Sequence, residues 1–159
     1  MKIKTYYTAA ILLGLLSACS NNNTSTGSPT ATPTTATASA TTSAADYDSV
    51  RGSGNFKHVD LQPTPQPALV TAGKAIYDLK CSACHKLTGE KLVGPGWLGV
   101  TTRHTPEWIM NFATNTDEMI DKDPKAQAML QVCMVRMPNQ HLSDEDARNI
   151  LEFMRNNDK

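Results

Sequence analysis

From Ser20 to Ala45 the chain carries no charged residue, and nearly every position is Thr, Ala, Ser, Asn or Pro. Such a composition cannot bury enough apolar surface to offset the entropy of ordering it. The stretch is therefore lost to any core. Of 159 residues, only the part beginning near Ala68, roughly 90 residues, is left to form one domain. A single hydrophobic core is marginal at that size unless something else helps to fill it. The 15 basic and 15 acidic side chains sum to a formal net charge of zero. A balance of that kind gives no support for a nucleic-acid-binding protein, which would show a basic excess or stripe.

Ahead of this stretch, Lys2 and Lys4 precede an apolar run from Ala9 to Leu16. The run is far short of the roughly 20 residues that span a bilayer. It suits the apolar region of a signal peptide rather than a buried helix, which would have no core to join. Leu16-Ser17-Ala18-Cys19 resembles the bacterial lipobox. That resemblance implies cleavage before Cys19 and acylation of Cys19. Two or three acyl chains anchor stably where one is marginal. The implied location is extracytoplasmic, lipid-anchored to a bacterial membrane and facing the periplasm. Ser20, with no Asp in its place, resembles lipoproteins sent on to the outer membrane. Loss of residues 1–18 leaves 13 basic against 15 acidic side chains, a net of about −2.

Residues 19–68 then read as the lipidated Cys and a flexible linker. Its 49 residues after Cys19 would span roughly 35–42 Å. The linker is either a spacer or a tether that lets the domain swing out to partners. Asn55 to Leu61 alternates weakly and reads as an extended segment on the domain surface, with His58 solvated.

Cys81-Ser82-Ala83-Cys84-His85 carries the chemistry. C-x-x-C-H is the signature of covalent haem attachment. Two thiols three positions apart can add to the two vinyl groups of one porphyrin, and the following His is then held under the iron as an axial ligand. A thioredoxin-like pair expects a βαβ context, which is missing. A zinc site needs two more ligands, and Cys133 is the only further Cys outside the lipobox. The cofactor expected is one haem c. It would also fill the core that 90 residues lack.

Helical punctuation surrounds the motif. Gly73, Ile76 and Tyr77 share one face of a helix over Val70–Lys80. Thr105-Pro106 is an N-cap followed by Pro at the first helical position, opening a helix with Trp108, Ile109 and Phe112 inward. Asp123-Pro124 repeats the device, with Ala128, Met129, Val132 and Cys133 as its apolar positions. Ser143-x-x-Asp146 resembles a capping box, and Ala147, Ile150, Leu151 and Met154 form a stripe behind it. No strand alternation appears after residue 68, so the fold class is all-α with loops.

Residues 69–159 resemble the class I, single-haem c-type cytochromes. In that family a Gly and an aromatic precede the haem motif and pack on the last helix; Gly73 and Tyr77 match, with Phe153 as the aromatic opposite. A Gly-Pro loop supplies the carbonyl that receives the axial His, matched by Gly94-Pro95. An Arg near a haem propionate is matched by Arg103. The sixth ligand is a Met, in many bacterial members followed by Pro, which Met137-Pro138 matches. The resemblance therefore implies His85 and Met137 as iron ligands, with Pro95, Trp97 and Arg103 also lining the cofactor.

Among the other methionines, Met154 lies in an apolar stripe and Met129 within a capped helix. Met119 falls in a connection between helices, and Met134 is the runner-up to Met137. Pro138 favours Met137 because it ends the helix and holds its neighbour extended. His104 and His141 are rival ligands, read as a polar neighbour of the haem edge and a surface residue. Trp108 contacts the haem or simply fills core. Cys133 reads as an inert thiol rather than an intermolecular disulfide.

A soft thioether raises the potential relative to harder ligands, and a closed coordination sphere suits one-electron transfer. The implied function is an electron shuttle, not an enzyme, with redox proteins as partners and no small-molecule substrate. It would run from a respiratory donor to a terminal reductase or oxidase. Leu92-Val-Gly-Pro-Gly-Trp97 and Val135-Arg-Met-Pro-Asn-Gln140 are similar to cytochromes encoded beside nitrous oxide reductase. Rival readings are a haem enzyme or gas sensor with a labile sixth ligand, and an assembly lipoprotein.

Overall fold

Three helices begin at the caps the sequence provides. Thr105 accepts from the Trp108 N–H (3.2 Å), Asp123 from Ala126 (2.8 Å), and Ser143 and Asp146 cap each other reciprocally (3.1 and 3.2 Å). The computed structural model describes residues 47–159. The expected signal peptide, the expected lipidation site Cys19 and the expected linker through residue 46 lie outside the described residues.

Six α-helices follow in order: α1 Pro67–Ile76, α2 Val100–Arg103, α3 Pro106–Thr114, α4 Thr116–Lys122, α5 Pro124–Cys133 and α6 Asp144–Asn157. Among the described residues no strand forms, only an isolated bridge between His85 and Lys91. The fold is all-α with loops, as the sequence leads one to expect.

Helices α1 and α6 cross at Gly73. A Cβ there would fall on the Asn149 carbonyl and within 2.7 Å of the Phe153 Cβ, so only Gly permits the approach. Tyr77 meets Phe153 at the crossing (centroids 5.4 Å). Helix α6 turns Ala147, Ile150, Leu151 and Met154 inward as its stripe predicts, and α3 contributes Trp108 and Ile109 to the same core. Glu152 is wholly buried on α6. It is paired with Arg148 (3.0 Å) and Arg155 (2.9 Å), and it accepts from the Gln66 N–H (3.3 Å). Its charge is thus met on several sides, as burial demands.

The structure revises the sequence reading in four places. The first helix does not continue regularly to Lys80. Its last turn, Tyr77–Cys81, widens to a π turn in which the Ser82 N–H reaches back to the Tyr77 carbonyl (2.9 Å). The segment around Met119 is helix α4, not a connection, and Met119 is wholly buried. Of the apolar positions assigned to α5, Met129 and Cys133 are half-buried, whereas Ala128 and Val132 are exposed and Ala126 is the buried residue.

The fourth revision is the domain boundary. The flexible linker does not reach Ala68, because residues 47–66 lie against the helices. The Asn111 amide donates to the carbonyls of Arg51 and Phe56 and accepts from the Phe56 N–H, each at 2.9 Å. The Met119 sulfur receives the Ser53 N–H (3.0 Å), Glu107 receives Val59 (2.8 Å), and Tyr47 donates to Asp123 (2.7 Å). Gly52 enters with φ +73°, and a Cβ there would strike the Met119 sulfur. Side chains of α3 and α4, with the α5 cap Asp123, thus take the place of a backbone ladder in satisfying this strap.

Candidate haem site

The π turn delivers the haem-binding motif. Cys81 ends it, and the N–H groups of Cys84 and His85 both turn back to the Cys81 carbonyl (3.0 and 2.9 Å). π turns recur at functional sites; here the widened turn spans Tyr77 to the first thiol. The thiols of Cys81 and Cys84 are unpaired. Burial pushes the Cys81 thiol up to about 11, so it stays protonated at neutral pH.

His85 is fixed from several directions. Its Nδ1 donates to the Pro95 carbonyl (2.9 Å), which leaves Nε2 as the nitrogen with a free lone pair. Burial lowers the imidazole pKa, with the Pro95 bond working the other way, and the ring is held neutral. A neutral imidazole oriented by a carbonyl at its far nitrogen is the form that ligates a metal. The Tyr77 hydroxyl donates to the His85 carbonyl (2.7 Å). Trp97 packs between the Tyr77 ring (5.0 Å) and the imidazole (5.6 Å). Gly94 passes so close that a Cβ would collide with the imidazole.

Two largely apolar cavities flank this ring. His85, Pro95, Phe112, Met129 and Met137 line both. The first also takes in Cys84, and the second Cys81, Trp97 and Arg103. The structure therefore gathers all seven expected cofactor residues: Cys81, Cys84, His85, Pro95, Trp97, Arg103 and Met137. Sequence reasoning missed Phe112 as a wall and the hydroxyl of Tyr77 as a partner of His85. Phe112 was visible only as an inward helical position, with nothing to say that it met a cofactor rather than core.

The rival positions separate. Met134 takes φ 58° at the end of α5 and is 86% exposed. The Met119 sulfur is committed to the strap. His141 is exposed with φ 51°, whereas His104 stacks on Trp108 at 3.9 Å in the wall of the second cavity. Met129 and Met154 line that cavity too, from within helices. Arg103 donates to the carbonyls of Leu98 (2.5 Å) and Gly96 (3.0 Å) and meets no carboxylate among the described residues.

These residues fit a covalently held haem. Two free thiols, a neutral imidazole with one open nitrogen, and a thioether share the walls of apolar space, and the cationic Arg103 stands at its edge. What the fold and site define is an all-α protein built around one such group. The chain belongs to the cytochrome c family, whose model matches residues 70–158. A solved cytochrome c from Rhodothermus marinus is 36% identical with a TM-score of 0.63, over 65% of this chain and 89% of that one. An engineered form of the Rhodothermus marinus protein, solved with a bound carbene intermediate, is 35% identical with a TM-score of 0.60, over 65% and 89%. No curated protein sequence matches the chain. The cofactor is accordingly one haem c with its iron, covalently attached, and the chain is an electron-transfer protein that works with redox partner proteins.

Proposed function

We propose that this cytochrome is a lipid-anchored, extracytoplasmic shuttle that passes single electrons to a terminal reductase, with nitrous oxide reductase as the acceptor. Cys81 and Cys84 would hold the haem through thioether links, His85 and Met137 would ligate its iron, and Cys19 would carry the lipid. The observation that carries the reading is that His85 and Met137 line the same two apolar cavities. Iron supplies the one-electron couple. The chain's own residues shape the site: Pro95 holds the imidazole, Phe112 and Met129 wall both cavities with apolar surface, and Pro138 restricts the backbone of Met137.

Support for docking at the cofactor edge comes from Val93 and Val135, which line the first cavity beside Cys84 and are 38% and 53% exposed. Exposed apolar side chains at an edge suit brief contact with another protein. The acceptor assignment rests on the Leu92–Trp97 and Val135–Gln140 segments described above.

Rapid mixing of the reduced protein with nitrous oxide reductase, and separately with a cytochrome c oxidase, tests it. Fast oxidation by the copper reductase, much faster than by the oxidase, is expected. Faster oxidation by the oxidase would move the acceptor, and sluggish exchange with both would refute the shuttle.

A further inference from the structure

A haem is apolar except for two propionates, which need polar partners where they are shielded from water. The polar side chains lining the second cavity are few. The Trp108 N–H is committed to Asp123 (3.1 Å), one Gln140 amide N–H goes to the Pro138 carbonyl (3.0 Å), and Arg103 donates to the carbonyls of Leu98 and Gly96. His104 makes no side-chain hydrogen bond among the described residues; it is adjacent to Arg103 in the chain, and both also line a neighbouring open groove with Lys125.

We propose that His104 anchors a haem propionate by donating a hydrogen bond from its Nε2. Neither ring nitrogen makes a hydrogen bond among the described residues, and Nδ1 is shut off from solvent with no partner. Nδ1 lacks a partner in either tautomer, and Nε2 is the nitrogen that remains accessible. An ionised carboxylate can only accept, so a propionate at Nε2 draws the proton onto that nitrogen. Burial, Lys125 and Arg103 together lower the imidazole pKa to about 4, and Asp123 alone works the other way. The ring is thus a neutral donor at the working pH rather than a titrating cation.

The ring is also held in place. It stacks on Trp108 at 3.9 Å and 14°, Trp108 is pinned by Asp123, and Asp123 caps α5 while receiving the Tyr47 hydroxyl. A donor fixed through its neighbours loses little freedom when it binds. Lys125 and Arg103 add positive potential at the same rim. The inference rests on the covalent haem, and neither the choice of acceptor nor the identity of the sixth ligand enters it.

The test uses the haem-loaded protein and its His104→Leu, His104→Gln and His104→Asn variants. Two quantities are read: the propionate-bending band in the resonance Raman spectrum, and the reduction potential at about pH 8, where propionates are ionised. A propionate without its donor bears more of its negative charge and favours ferric iron. His104→Leu is expected to shift the band and lower the potential. His104→Gln places an amide N–H where Nε2 stood and is expected to restore both; His104→Asn places it at the Nδ1 position and is not. No change in Leu, or equal rescue by Asn and Gln, would overturn the proposal. If Leu fails to take up haem, the contrast between Gln and Asn decides it. Absence of covalent haem from the unmutated protein would instead strike at the family reading.

Discussion

Replacing Tyr77 by Phe removes one oxygen from the middle of the molecule. The hydroxyl donates at 2.7 Å to the carbonyl of His85 and is buried. Losing it leaves that bond unmade in a place water cannot easily reach, which costs about 1–3 kcal/mol. The ring itself stays against Trp97 (5.0 Å) and Phe153 (5.4 Å), so packing is retained. For a folded unit of this size, a loss of about 2 kcal/mol lowers the melting temperature by roughly 6–12 °C. Tyr77→Ala removes the ring as well and is expected to cost about 3–5 kcal/mol in total or more. Thermal and urea unfolding followed by circular dichroism measure both. A Tyr77→Phe variant that melts within about 1 °C of the parent would refute the reasoning that this hydroxyl secures the haem-bearing loop.

Other expectations follow from the same contacts. Starting the chain at residue 67 strips the strap and uncovers the Asn111 amide and the Met119 side chain on which it lies; urea unfolding is expected to show a loss of about 3 kcal/mol, chiefly from the apolar surface returned to water. Gly73→Val drives a side chain into the Asn149 carbonyl and Phe153, for a cost of about 1–3 kcal/mol or more in the same assay. Hydrogen bonds from Lys122, Asn115 and Ser53 hold the Glu118 carboxyl down at about 2, below its ordinary 4.5. Because the folded value is the lower one, the stabilisation is full above the ordinary value and fades as pH falls through the folded one. Glu118→Gln is therefore expected to flatten the acid limb of a stability–pH curve between about pH 5 and pH 2.

The parts that were legible in the sequence are those encoded locally. Thr105-Pro106, Asp123-Pro124 and Ser143-x-x-Asp146 fix helix starts because the capping side chain and the N–H that donates to it lie within four residues of each other. Cys81, Cys84 and His85 declare themselves because attachment chemistry dictates their spacing. The strap from Tyr47 was hidden for the opposite reason. Its partners Asn111, Met119 and Asp123 lie 55 to 76 positions away, and bonds to side chains leave no periodic trace. The π turn was equally hidden, since a register change of one carbonyl alters no residue type. Helix α4 is short and polar outside Met119 and Ile120, so it carries too few turns for a pattern to stand out. The rival methionines could be ranked only by their setting. Folding then separated Met134, turned to solvent, from Met137 in the cavity wall.

The central claim is that the haem iron sits between His85 and Met137. The weak far-red sulfur-to-iron absorption band of the ferric protein reports that bond directly. The band is expected in the parent and in Met134→Leu, and is expected to vanish in Met137→Ala, which should then bind cyanide fast. A parent protein that lacks the band and takes up cyanide or carbon monoxide rapidly would contradict the account, and so would a band that survives in Met137→Ala.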